Sequence, residues 1–124
     1  MKEIPGISKT EWVVMKAIWT YAPCTSRKII DELSKSTKWK PKTIKSMINM
    51  LVKKNAVGVK DEEKAYIYYP LVTEEECVKS ESKSFLDRVF AGKTNAAIAN
   101  FIKSEKMSDE EIDQLRKILN DKEK

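Results

Sequence analysis

The 124-residue chain contains no histidine at all, two cysteines, three glycines and no long apolar run. Without histidine, the commonest general base and the commonest metal ligand are both missing. Cys24 and Cys77 stand far apart with no second thiol beside either, so a metal site is not expected and two buried, reduced thiols are. Three glycines leave nothing resembling a phosphate-cradling loop. An enzyme is therefore not expected, and neither is a cofactor. No window approaches 18 consecutive apolar residues and the start, "MKEIPGISKTEW", lacks the apolar core of a secretory signal, so the expectation is a cytoplasmic protein without membrane insertion.

A further absence is local: no acidic residue occurs between Glu32 and Asp61. Residues 1 to 72 hold 14 Lys/Arg against 7 Asp/Glu, a net +7, whereas residues 73 to 124 hold 10 against 12, a net −2. Such asymmetry suggests one half that meets a polyanion and another with a different task. Hydrophobic residues make up 41% of the chain and there are three tryptophans, enough for a folded core despite a charged content of 35%.

The first half reads as three helices and a hairpin. "SKTE" (Ser8 to Glu11) is a capping box, with Ile7 and Trp12 placed as a hydrophobic staple, and Trp12, Met15, Ile18 and Trp19 form an apolar stripe behind it. "PCTSRKIIDELSKS" predicts a short second helix capped by Thr25 or Ser26, with Ile29, Ile30 and Leu33 on its inner face. A third helix starts at Pro41, where a missing N–H costs nothing, and Asn55 suits a left-handed cap. Val57 and Val59, a turn at "DEEK", and the run from Tyr66 to Tyr69 ending at Pro70 make a β-hairpin. That order is the order of a winged helix-turn-helix, in which the third helix is the reading helix.

From Thr73 onward "TEEE" and "SDEE" are two more capping boxes, and "AGKTN" marks a break between them, so three further helices are expected. Their apolar faces carry Val78, Phe85, Leu86, Val89 and Phe90, then Ala96, Ala97, Ile98, Phe101 and Ile102, then Ile112, Leu115, Ile118 and Leu119. Three helices of this size cannot bury so much apolar surface alone, and pairing with a second copy is the economical solution. The fold class expected is thus mainly α with a small β-hairpin. Residues 1–72 form a winged helix-turn-helix DNA-binding domain and residues 73–124 a helical dimerisation domain.

In the third helix, projection at about 100° per residue places Met47, Ile48 and Leu51 within roughly 60° of Ile44. Lys42, Ser46, Asn49 and Lys53 fall on the opposite side, with Thr43 and Met50 along one edge and Lys45 along the other. A lysine-rich helix exterior is ordinarily only a solvated face. Here no acidic residue supplies i,i+4 pairing, the residues between the lysines are short hydrogen-bonding ones, and the helix stands immediately before a hairpin. The candidate DNA-binding residues are therefore Lys42, Thr43 and Ser46 at base edges or adjacent phosphates, Asn49 on the same face, and Lys45, Lys53 and Lys54 as phosphate neutralisers. The hairpin tip, "DEE", is acidic and offers DNA at most the flanking Lys60 and Lys64.

"ISKTEWVVMKAIW", "WKPKTIKSMINMLVKK", "SFLDRVFAG", "NFIKSE" and "DEEIDQLRKILND" together resemble the penicillinase and methicillin-resistance repressors of Gram-positive bacteria, nearly end to end. The resemblance implies a homodimeric winged-helix repressor seated on double-stranded operator DNA of a β-lactamase or transpeptidase gene. It also implies a partner, a membrane sensor metalloprotease that answers to β-lactam, and cleavage of the repressor at an Asn-Phe bond in the dimerisation region. Here that bond is Asn100-Phe101. The family usually has Arg at the position of Met50 and Gly at that of Asn55. Copper-responsive relatives carry a cysteine-rich tail, and "ILNDKEK" has no cysteine, which disfavours metal sensing. Two alternatives stay open: a repressor of the same family answering a different signal, and an adaptor that uses the winged fold to bind protein instead of DNA.

Overall fold

The computed structural model describes residues 2–124. In chain order these form α1 (Lys9–Tyr21), α2 (Ser26–Leu33), α3 (Pro41–Lys53), a hairpin of β1 (Val57–Glu62) and β2 (Ala65–Pro70), then α4 (Glu74–Phe90), α5 (Thr94–Ser104) and α6 (Asp109–Glu123). The architecture is mainly α with one small antiparallel sheet, a winged helix followed by a helical region.

The caps explain where the helices begin. Ser8 Oγ accepts from the Glu11 N–H at 3.2 Å while the Glu11 carboxylate accepts from the Ser8 N–H at 2.9 Å. The same reciprocal pair joins Thr73 to Glu76 (3.0 and 2.8 Å) and Ser108 to Glu111 (3.1 and 3.0 Å). All three capping boxes read from the sequence are therefore made. Thr25 rather than Ser26 caps α2, accepting from the Lys28 N–H. Pro41 opens α3, and Asn55 ends it with φ of 65°, in the left-handed region that Asn tolerates.

The chain divides into two compact units, the first ending at Ser82 and the second running Lys83–Lys124. The first unit takes in the opening turns of α4 as well as the winged domain. Cys77 is buried in its core, the Trp19 indole N–H donates to the Val72 carbonyl at 2.9 Å, and Lys16 pairs with Glu74. Val14, Met15, Ile18, Ile29, Ile44, Ile48 and Leu51 form the fully buried centre. Trp12 and Trp19, expected as core aromatics, lie half-buried on its rim with their rings 5.7 Å apart, while Val14 and Ala17 take the inner places on α1.

In the hairpin, Val57 pairs with Pro70 and Glu62 with Ala65, so the turn is only Glu63 and Lys64, and Asp61 and Glu62 belong to the strand. Ladder pairing carries β1 two residues into the expected turn at "DEEK". A third segment joins this sheet by a single bridge: Cys24 N–H donates to Tyr68 O at 3.1 Å and Tyr68 N–H to Cys24 O at 2.7 Å. One bridging residue leaves no period in the sequence, and no strand was expected there.

In the second unit the Phe85 and Phe101 rings stack with centroids 6.2 Å apart and Phe90 meets both. Ala97 is buried, but Ile98, Phe101 and Ile102 on α5 and Ile118 and Leu119 on α6 stay exposed. Ala91 and Gly92, with φ of 51° and 79°, form the break between α4 and α5.

Candidate nucleic-acid interface

Helix α3 separates its residues as amphipathic geometry requires. Ile44, Ile48 and Leu51 are completely buried, and Met47 and Val52 pack partly against the core. On the other side Lys42, Thr43, Ser46, Asn49, Met50 and Lys53 are exposed. Among the described residues none of the polar side chains in that exposed set makes a hydrogen bond or ion pair, so their donors and acceptors are available to an external partner. The face holds two ammonium groups, two hydroxyls and one carboxamide, a set that matches phosphate oxygens and base edges.

Two expected contributors lie elsewhere. The Lys45 ammonium is half-buried, donating to the Tyr68 hydroxyl at 2.9 Å and to Ser26 Oγ at 3.3 Å, and stands 5.1 Å from the centre of the Tyr68 ring. It thus ties α3 to the start of α2 and to the hairpin. The Lys54 ammonium donates to the Glu11 carboxylate at 2.5 Å and to the Gly6 carbonyl at 3.0 Å. Glu11 is only 5% exposed and Lys54 is half-buried, so this is a partly desolvated pair rather than a free surface cation. Burial by itself would push the Glu11 carboxyl up, but hydrogen bonds from Lys54 and from Ser8 outweigh it and hold the carboxyl below its ordinary value.

The structure therefore brings five of the seven sequence candidates onto one open face, Lys42, Thr43, Ser46, Asn49 and Lys53, and places Lys45 and Lys54 in internal contacts. Sequence reasoning missed Tyr68 and Ser26 as the partners of Lys45, and Glu11 as the partner of Lys54. The partners lie 19 to 43 positions away, beyond any local pattern. Arg27, next in sequence to Ser26, is exposed at the start of α2.

On the wing, Asp61, Glu62 and Glu63 are exposed at the tip, between the exposed Lys60 and Lys64. Three carboxylates against two ammonium groups make this tip a poor neighbour for phosphate. No helix is long and apolar enough to cross a membrane, and no group of potential ligands that could hold a metal ion occurs among the described residues.

The model of the family described as "Penicillinase repressor" matches residues 7–121. The penicillinase repressor of Bacillus licheniformis is 40% identical over 119 residues, covering 96% of this chain and 93% of that protein. The methicillin resistance regulatory protein MecI of Staphylococcus aureus (strain N315) is 39% identical over 116 residues, with 94% of each chain covered. Among solved structures, the monomeric form of Bacillus licheniformis BlaI in complex with the blaP half-operator is similar with a TM-score of 0.54 and 41% identity, over 61% of this chain and 93% of that one.

Proposed function

The chain belongs to the penicillinase repressor family, a family of DNA-binding regulators and not of enzymes, and from that premise we propose that it is a homodimeric repressor of a β-lactam resistance operon. In this reading α3 enters the major groove of operator DNA. Lys42, Thr43, Ser46 and Asn49 reach base edges and nearby phosphates, and Lys53 neutralises phosphate. The observation that carries it is the exposed face of α3, with no acidic residue and no internal hydrogen bond among its polar side chains. That face stands in the position of the reading helix, in a chain that is 41% identical, over 61% of its length, to a repressor solved on its half-operator.

The second unit is the pairing surface. Ile98, Phe101, Ile102, Ile118 and Leu119, all between 44% and 59% exposed, would cover one another across a two-fold axis. Asn100-Phe101 is the bond whose cleavage releases the repressor. It lies inside α5, with Phe101 against Phe85 and Phe90, so cutting there removes an anchor of the apolar cluster. Two half-sites held by one dimer bind far more tightly than either domain alone, and loss of pairing forfeits that gain.

The DNA-reading arm is tested by Lys42→Ala together with Ser46→Ala, which is expected to abolish binding to a specific duplex while sedimentation shows an unchanged dimer. The switch is tested by Asn100→Ala and Phe101→Ala in cells exposed to a β-lactam. Both variants are expected to remain uncleaved, and Asn100→Ala, which keeps the Phe101 ring in the apolar cluster, is expected to go on repressing; normal cleavage and derepression would place the site elsewhere. An adaptor that binds protein would leave duplex affinity indifferent to all of these residues.

A further inference from the structure

Met50 is the one large apolar side chain of α3 turned to solvent, 46% exposed while Ile44, Ile48 and Leu51 on the same helix are at 0%. An isolated exposed apolar residue is ordinary on a protein surface. This one is distinguished by its neighbours. Ser46 stands one turn before it, Lys53 nearly one turn after, Asn49 beside it and Thr43 two turns before on the same edge, all exposed and all on the face assigned to DNA. With α3 as the reading helix, a side chain on this edge comes within reach of the base edges of the major groove, whose polar atoms call for hydrogen bonds and where the C5-methyl group of thymine calls for an apolar partner. Methionine suits it, because an unbranched thioether adapts its three torsions to a small apolar target.

We propose that Met50 reads a thymine methyl group and so fixes one A·T pair of each half-site, adjacent to the base pair met by Asn49. The inference rests on the assignment of α3 as the reading helix. Met50 forms no hydrogen bond in this role. It discriminates by burying the methyl against the thioether and by leaving a cytosine, which has none, with its amino group facing an apolar tip.

The test uses the full chain and a duplex that the protein itself selects from a randomised library. Each thymine is replaced singly by deoxyuridine, which removes the methyl and leaves every hydrogen-bonding group in place. Wild-type protein is expected to lose about fourfold in affinity at one thymine per half-site, the value of one buried methyl-sized group. Met50→Ala should be indifferent to that replacement, and Met50→Leu should keep part of the sensitivity. Because Met50 is outside the core, both variants are expected to melt with wild type. Binding in which no thymine shows a Met50-dependent effect would overturn the inference and leave the reading helix intact. Failure of the wild type to select any duplex would instead sink the assignment of α3 on which the inference rests.

Discussion

Of the five lysines between residues 39 and 55, Lys45 and Lys54 have ammonium groups already engaged within the fold, and only the others offer free positive charge. This separates two effects that a count of lysines would merge. Lys53→Ala is expected to lower the log–log salt slope of DNA binding by about 1, as loss of one phosphate contact does, with little change in stability. Lys54→Ala should leave that slope unchanged and cost about 2 kcal/mol in stability, since Glu11 is then left buried without its cation; denaturant melts beside salt titrations read both. The depressed carboxyl of Glu11 also sets a pH dependence. Its contribution is complete above the ordinary value of 4.5 and is lost as pH falls through the lower folded-state value. Glu32 behaves alike: hydrogen bonds from Lys28, then Lys35 and Tyr21, lower its carboxyl to about 2. Melting temperature should therefore fall between about pH 4.5 and 2, and Glu11→Gln should flatten part of that fall.

Among the elements, what was legible in the sequence was whatever is decided within a few residues. The capping boxes at Ser8, Thr73 and Ser108, proline at the start of α3 and the left-handed Asn55 all hold, because each satisfies backbone groups of its own neighbourhood. The buried stripe of α3 was legible from its period, although Met47 is only partly covered. What was not legible depends on distant partners: the single bridge from Cys24 to Tyr68, the retreat of Trp12 and Trp19 to the rim, and the capture of Lys45 by Tyr68 and Ser26. In the wing, Gly58 faces Tyr69 across the ladder, and a Cβ on Gly58 would lie 2.4 Å from the tyrosine ring. Gly58→Ala is expected to cost about 1 kcal/mol as the exposed ring swings away. Most of that loss should vanish in a Tyr69→Ala background, which a double-mutant cycle measures.

At the scale of the whole molecule, the two compact units carry different unfinished surfaces. The first presents an uncommitted polar and cationic face on α3; the second presents uncovered isoleucine, leucine and phenylalanine on α5 and α6. Pairing predicts that thermal stability rises with protein concentration, as mass action requires, and that Phe101→Asp abolishes that rise. A scan over a hundredfold range of concentration checks it. With about six phosphates neutralised per dimer, the salt slope of operator binding should be near −5. The most direct measurement is the affinity of the full chain for a self-selected duplex, compared between wild type and Lys42→Ala/Ser46→Ala. The account predicts tight, sequence-specific binding by the first and none by the second at equal dimer content; equal binding by both would contradict it.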